Sequence, residues 1–118
     1  MLTLAILTML LLDSVYIYLT KTMYDTQLRL IQGSDLKIKI IPALLVYVFL
    51  IGGLYYFILI PKRPIMDAFI LGLVIYAVFD LTNLAIIDKW SYQIVIMDSL
   101  WGASLFAMTT FITYKLSK

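Results

Sequence analysis

From Ile40 to Ile60 the chain runs for 21 residues without a charged side chain. About 20 apolar residues is the length an α-helix needs to cross the hydrocarbon core of a bilayer. Residues 1–20, 65–87 and 93–114 have the same character, interrupted by only a few charges. Backbone polar groups in lipid must be satisfied within the segment, so each run predicts a helix. The expectation is an all-α membrane protein: an antiparallel four-transmembrane-helix bundle forming a single domain over residues 1–118, with approximate spans 1–20, 40–60, 65–87 and 93–114. Composition agrees, with 64% hydrophobic residues and a mean hydropathy of +1.02, against about 45–50% apolar residues in soluble domains.

The connections are short and charged. Met1 to Thr20 has no basic leader and no small-residue cleavage site before Lys21, so it is expected to remain as a membrane helix rather than act as a signal peptide. Between Lys21 and Lys39, Tyr24, Leu28 and Ile31 fall on one helical face. That spacing predicts a short interfacial helix between helices 1 and 2, ended by Gly33, with Ser34 and Asp35 capping the next helix. The turn Pro61-Lys62-Arg63-Pro64 predicts helices 2 and 3 as antiparallel neighbours, and Gly52-Gly53 would admit a close neighbour. Trp90 and Tyr92 suit the headgroup level. Basic residues divide almost evenly between the two sides. Weighting those nearest the span ends, and adding the terminal amine, assigns both termini to the cytoplasm.

Histidine and cysteine are both absent. Their absence excludes disulfides, thiolate nucleophiles, histidine-ligated haem, His/Cys metal sites and Ser-His-Asp catalysis. No cofactor is evident. A formal charge of +2 is too small for a nucleic-acid surface. Proton chemistry would fall to carboxylates, tyrosines or lysines.

Three carboxylates, Asp13, Asp80 and Asp98, lie well inside the apolar runs. Helices 1 and 3 end on the side where helices 2 and 4 begin. All three acids then lie about five to seven residues from that side, roughly 8–10 Å deep at ~1.5 Å per residue. An acid facing lipid costs about 2.5–3.5 kcal/mol on insertion scales, so three of them point to an interior cluster. Gly72, Tyr76, Asp80 and Asn83 form a stripe on helix 3; Asp98, Trp101, Gly102 and Leu105 share a face of helix 4; Tyr16 lies three residues after Asp13. The candidate ligand- or ion-binding residues are therefore Asp13, Tyr16, Tyr76, Asp80, Asn83, Asp98 and Trp101. No lysine or arginine lies mid-span to neutralise the acids.

At these residues the chain resembles a known family. Leu71 to Ala85, reading Leu-Gly-Leu-Val-Ile-Tyr-Ala-Val-Phe-Asp-Leu-Thr-Asn-Leu-Ala, is similar to the central motif of domain-of-unknown-function family 2177. Trp90, Asp98 and Trp101-Gly102 continue the motif, and Leu12-Asp13 with Tyr16 resembles its N-terminal acidic motif. The resemblance implies a small polytopic membrane protein. Its bacterial members look like neighbours of lipid-modification and photo-oxidative-stress genes, which favours a lipid-related role.

Three functional expectations follow. The leading one is a transport or binding role in which the acids hold a proton, a cation or a small polar or lipid headgroup, with Asp80 and Asp98 as ligands; with four spans, a transporter would work as a homo-oligomer. The second is a membrane-embedded lipid-modifying enzyme or accessory subunit with Asp80 and Asp98 as acid and base. An aspartyl-protease motif is missing, since Ala77-Val78-Phe79 precedes Asp80. The plainest is a polar network that serves only helix packing.

Overall fold

The structure is a computed structural model that describes residues 1–32, 39–87 and 89–117. Helix α1 spans Leu2–Gln32, α2 spans Ile40–Leu54 and runs on as a π-helical turn at Tyr55–Leu59, α3 spans Ile65–Ile86, and α4 spans Tyr92–Leu116. Each includes a stretch of 20 to 25 residues long and apolar enough to cross a membrane. The molecule measures 48 × 24 × 22 Å, close to the ~40–45 Å of a bilayer with its headgroups.

The least apolar helix lies at the centre. The α4 window has a mean hydropathy of 1.4 and is 56% buried, whereas the other three windows reach 2.0–2.1 and are 11–17% buried. That inversion of the soluble rule is what a lipid solvent selects: apolar helices tolerate the outside, and the helix with serines, threonines and an aspartate is surrounded by protein. Contacts of Gly72 with Phe106 and of Tyr76 with Gly102 show α3 antiparallel to α4. Pairs Tyr47 to Asp13 and Trp101 to Asp13 bring α2 and α4 onto α1 at one level. Met9, Leu54, Leu59, Ala68 and Phe106, all fully buried, form the apolar core beneath the polar level.

Two local expectations change. The segment from Lys21 to Gln32 is helical, but it continues α1 instead of forming a separate interfacial helix. No glycine or proline interrupts it. The Thr20 and Thr26 hydroxyls donate back to the carbonyls of Tyr16 and Thr22 at 2.7 and 2.9 Å, within the helix. Tyr24 turns into the bundle; the side chains of Leu28 and Ile31, and residues Gly33, Ser34 and Asp35, lie outside what the structure describes. The second change concerns the glycines. Gly52 and Gly53 face open space, with nothing within 4 Å of an added Cβ. The close approach is between α3 and α4, at Gly72 and Gly102, so α3 has α4 rather than α2 as its closest neighbour.

The turn from α2 to α3 is a Schellman motif. Lys62 adopts φ 56°, its amide donates to the Leu59 carbonyl at 3.1 Å, and the Arg63 amide reaches the Ile58 carbonyl at 2.8 Å. Pro64 follows, where the helix can no longer continue. The hydroxyl of Tyr114 on α4 approaches the same Ile58 carbonyl at 3.1 Å and that of Arg63 at 2.7 Å, which staples the turn to the far end of α4. Tyr114→Phe is expected to cost about 1 kcal/mol, read as a lower midpoint in denaturant titration of the detergent-solubilised chain. An unchanged midpoint would remove the staple.

Candidate functional site

Asp13, near the middle of α1, is 8% exposed and accepts two hydrogen bonds. The Tyr47 hydroxyl on α2 donates to Oδ2, and the Trp101 indole Nε1 on α4 donates to Oδ1 at 3.0 Å. One carboxylate thereby joins three helices. Trp101 is held flat against Tyr16, with ring centroids 4.6 Å apart and planes 2° from parallel.

That stacking directs the Tyr16 hydroxyl away from Asp13 and toward α4. Asp98 Oδ1 receives the Tyr24 hydroxyl at 2.9 Å and lies 3.4 Å from that of Tyr16, and the two tyrosine oxygens are 3.2 Å apart. Tyr16 and Tyr24 are eight residues apart on α1 and can meet over Asp98 only because the helix runs unbroken past Lys21. Partners therefore cross over. Asp13 does not use Tyr16, three residues along its own helix, and Asp98 does not use Trp101. Side chains stacked on one helix face point outward together, so each finds its partner on the helix opposite.

Asp80 is different. It is 1% exposed, and neither of its oxygens has a hydrogen-bond donor among the described residues. In the antiparallel register that sets Gly72 against Phe106 and Tyr76 against Gly102, Asp80 falls opposite Asp98.

These groups border a cavity of about 520 Å³. Asp13, Tyr16, Tyr76, Asp80 and Asp98 line it, together with Thr20, Lys21, Tyr24, Asp25 and Trp90. Ile17, Val46, Leu50, Ile75 and Phe79 make the apolar part of its wall. Of the candidates named from the sequence, five meet at this cavity. Trp101 acts on Asp13 without lining it. Asn83 also falls outside the lining; it is half-buried in the last turn of α3, where its carbonyl accepts the Ile87 amide at 2.8 Å.

Tyr24, Tyr47, Asp25 and Trp90 were not among the candidates. Tyr47 lies on an uncharged span where nothing local separates an anchor from an interior donor. Tyr24 carries a signal only if α1 is read as continuous, which places it two turns beyond Tyr16. Trp90, expected at the headgroup level, contributes a cavity wall, and its indole nitrogen is buried without an acceptor among the described residues.

No curated protein and no solved structure matches the chain. A family model described as "Predicted membrane protein (DUF2177)" matches residues 1–115, and the chain accordingly belongs to the DUF2177 family of membrane proteins.

Proposed function

We propose that the protein is a multi-pass membrane binding or transport protein whose cavity takes up a proton or cation at the Asp80–Asp98 pair. The observation that carries this reading is Asp80: a carboxyl buried to 1% exposure, without a donor among the described residues, beside a second carboxyl and on the wall of a cavity. Packing alone gives no reason for it. Interhelical hydrogen bonds in membranes average about 0.6 kcal/mol, and Asp80 makes none with a described donor. Asp13 and Asp98, by contrast, are held by aromatic donors, so the frame around Asp80 is fixed while Asp80 itself is open to exchange. With both termini cytoplasmic, the Lys21 and Asp25 end of the cavity faces the opposite side of the membrane.

The test is uptake of protons or inorganic cations into proteoliposomes holding the full chain. Asp80→Asn keeps the shape and removes the charge, and is expected to reduce uptake at least about tenfold with the melting temperature retained. Unchanged uptake in the folded variant would overturn the proposal.

The carboxyl pair also favours a second reading, an enzyme that modifies a lipid with one aspartate as acid and the other as base. Lipid extracts that differ between cells expressing the wild type and Asp98→Asn would support it; identical extracts would reject it.

A further inference from the structure

Resting on the carboxylate site proposed above, we infer that the cavity's ligand is an amphiphilic organic cation: an ammonium group on an apolar body, with an oxygen that can accept a hydrogen bond. Size is the first reason. A space of about 520 Å³ falls in the ~300–1,000 Å³ range of pockets for whole organic molecules, and far exceeds the need of a proton or a bare metal ion. Charge is the second. The lining carries four acids, Asp13, Asp25, Asp80 and Asp98, against one lysine, Lys21. Neutralising one of the four carboxyls would still leave a cation-attracting interior, and an anion would be repelled.

The wall supplies the rest. Ile75, Leu50 and Phe79 offer hydrocarbon contact that a hydrated inorganic ion cannot use. Tyr16, Tyr24 and Tyr76 bring aromatic rings to a region rich in carboxylates, the combination that receives ammonium groups. Trp90 adds a polar requirement of its own. Its Nε1 is buried without an acceptor among the described residues, and a ligand oxygen reaching it would satisfy that donor. Asp80 and Trp90 are thus two groups of opposite hydrogen-bonding sense at one cavity, neither with a partner among the described residues.

Binding of 4-phenylbutylamine to the full chain in dodecyl maltoside, which carries no cation, tests this by isothermal titration. The amine is expected to bind saturably, with 4-phenylbutanol and tetramethylammonium each at least about tenfold weaker. Asp98→Asn and Asp80→Asn are expected to weaken the amine by a similar factor. Should either variant fail to fold, Ile75→Trp narrows the apolar wall and leaves every carboxyl in place; it is expected to lose amine binding, and unchanged affinity would overturn the inference. Equal binding of the alcohol, or of tetramethylammonium, would also overturn it, while Asp80-dependent uptake of protons or inorganic cations would survive. Uptake indifferent to Asp80 would remove the underlying site as well. Displacement of the amine by added phosphatidylethanolamine identifies a lipid headgroup as the source of the ammonium, and lack of displacement identifies a free amine; each sustains the inference.

Discussion

Gly102→Val is expected to lower stability by about 3 kcal/mol, at the upper end of what overpacking a helix interface costs. A Cβ on Gly102 would overlap the ring of Tyr76 and come within 2.7 Å of its Cβ, and a Cβ on Gly72 would run into the Gly102 carbonyl and approach Phe106 Cβ at 2.9 Å. The Cβ of Tyr76 cannot rotate out of the way, so the helices must separate. Separation would also draw Asp80 away from Asp98, since Asp80 lies one turn beyond Tyr76 and Asp98 one turn before Gly102. The check is a denaturant titration of purified chains in detergent. Two controls make it specific: Gly52→Ala, which meets open space, is expected to be neutral or stabilising by up to about 1 kcal/mol, and Tyr76→Ala should recover part of the loss in a double-mutant cycle. A Gly102→Val midpoint equal to that of the wild type would refute the close approach of α3 and α4.

Asp13→Ala is expected to be the most damaging change at the polar level, at about 2–3 kcal/mol. It removes the acceptor for both Tyr47 and Trp101 and leaves two half-buried donors without it on two different helices. Asp13→Asn keeps an acceptor oxygen for Trp101 and can present its amide to the Tyr47 oxygen, so less than about 1 kcal/mol should be lost. Melting temperature and the tryptophan emission spectrum read the two effects together, because Trp101 both donates to Asp13 and stacks on Tyr16. Equal behaviour of the alanine and asparagine variants would show that the carboxylate does not tie the helices together. In contrast, Asp80→Asn should cost little stability, since Asp80 has no donor to lose among the described residues. The residue proposed to bind and a structural one of the same chemical type are thereby separated by experiment.

Much of the candidate site could be read without coordinates. Asp13, Asp80 and Asp98 arrive from three helices, and a carboxyl in an apolar run has no place to go but inward. Tyr76 follows because it shares a helix face with Gly72 and Asp80. Asn83 continues the same stripe, yet the stripe outruns the cavity at the end of α3. Tyr24 and Tyr47 were illegible for a different reason. Each is a tyrosine near a boundary, and its role depends on whether a neighbouring helix offers a carboxylate at its height.

The sequence by itself determined the number of spans and the level at which the acids meet, because those depend on run length, rise per residue and the cost of burying charge. Only the tertiary structure decided which glycines touch, which helix is central, and which donor serves which acid. The physical reason lies in the solvent. In water, a polar face and an apolar face tell a helix how to rotate. In lipid both faces are apolar, so rotation about each axis is settled by side-chain shape and by a few interhelical hydrogen bonds. Gly52-Gly53 and Gly102 therefore look alike in the chain, and only at Gly102 does a ring fill the space a side chain would need.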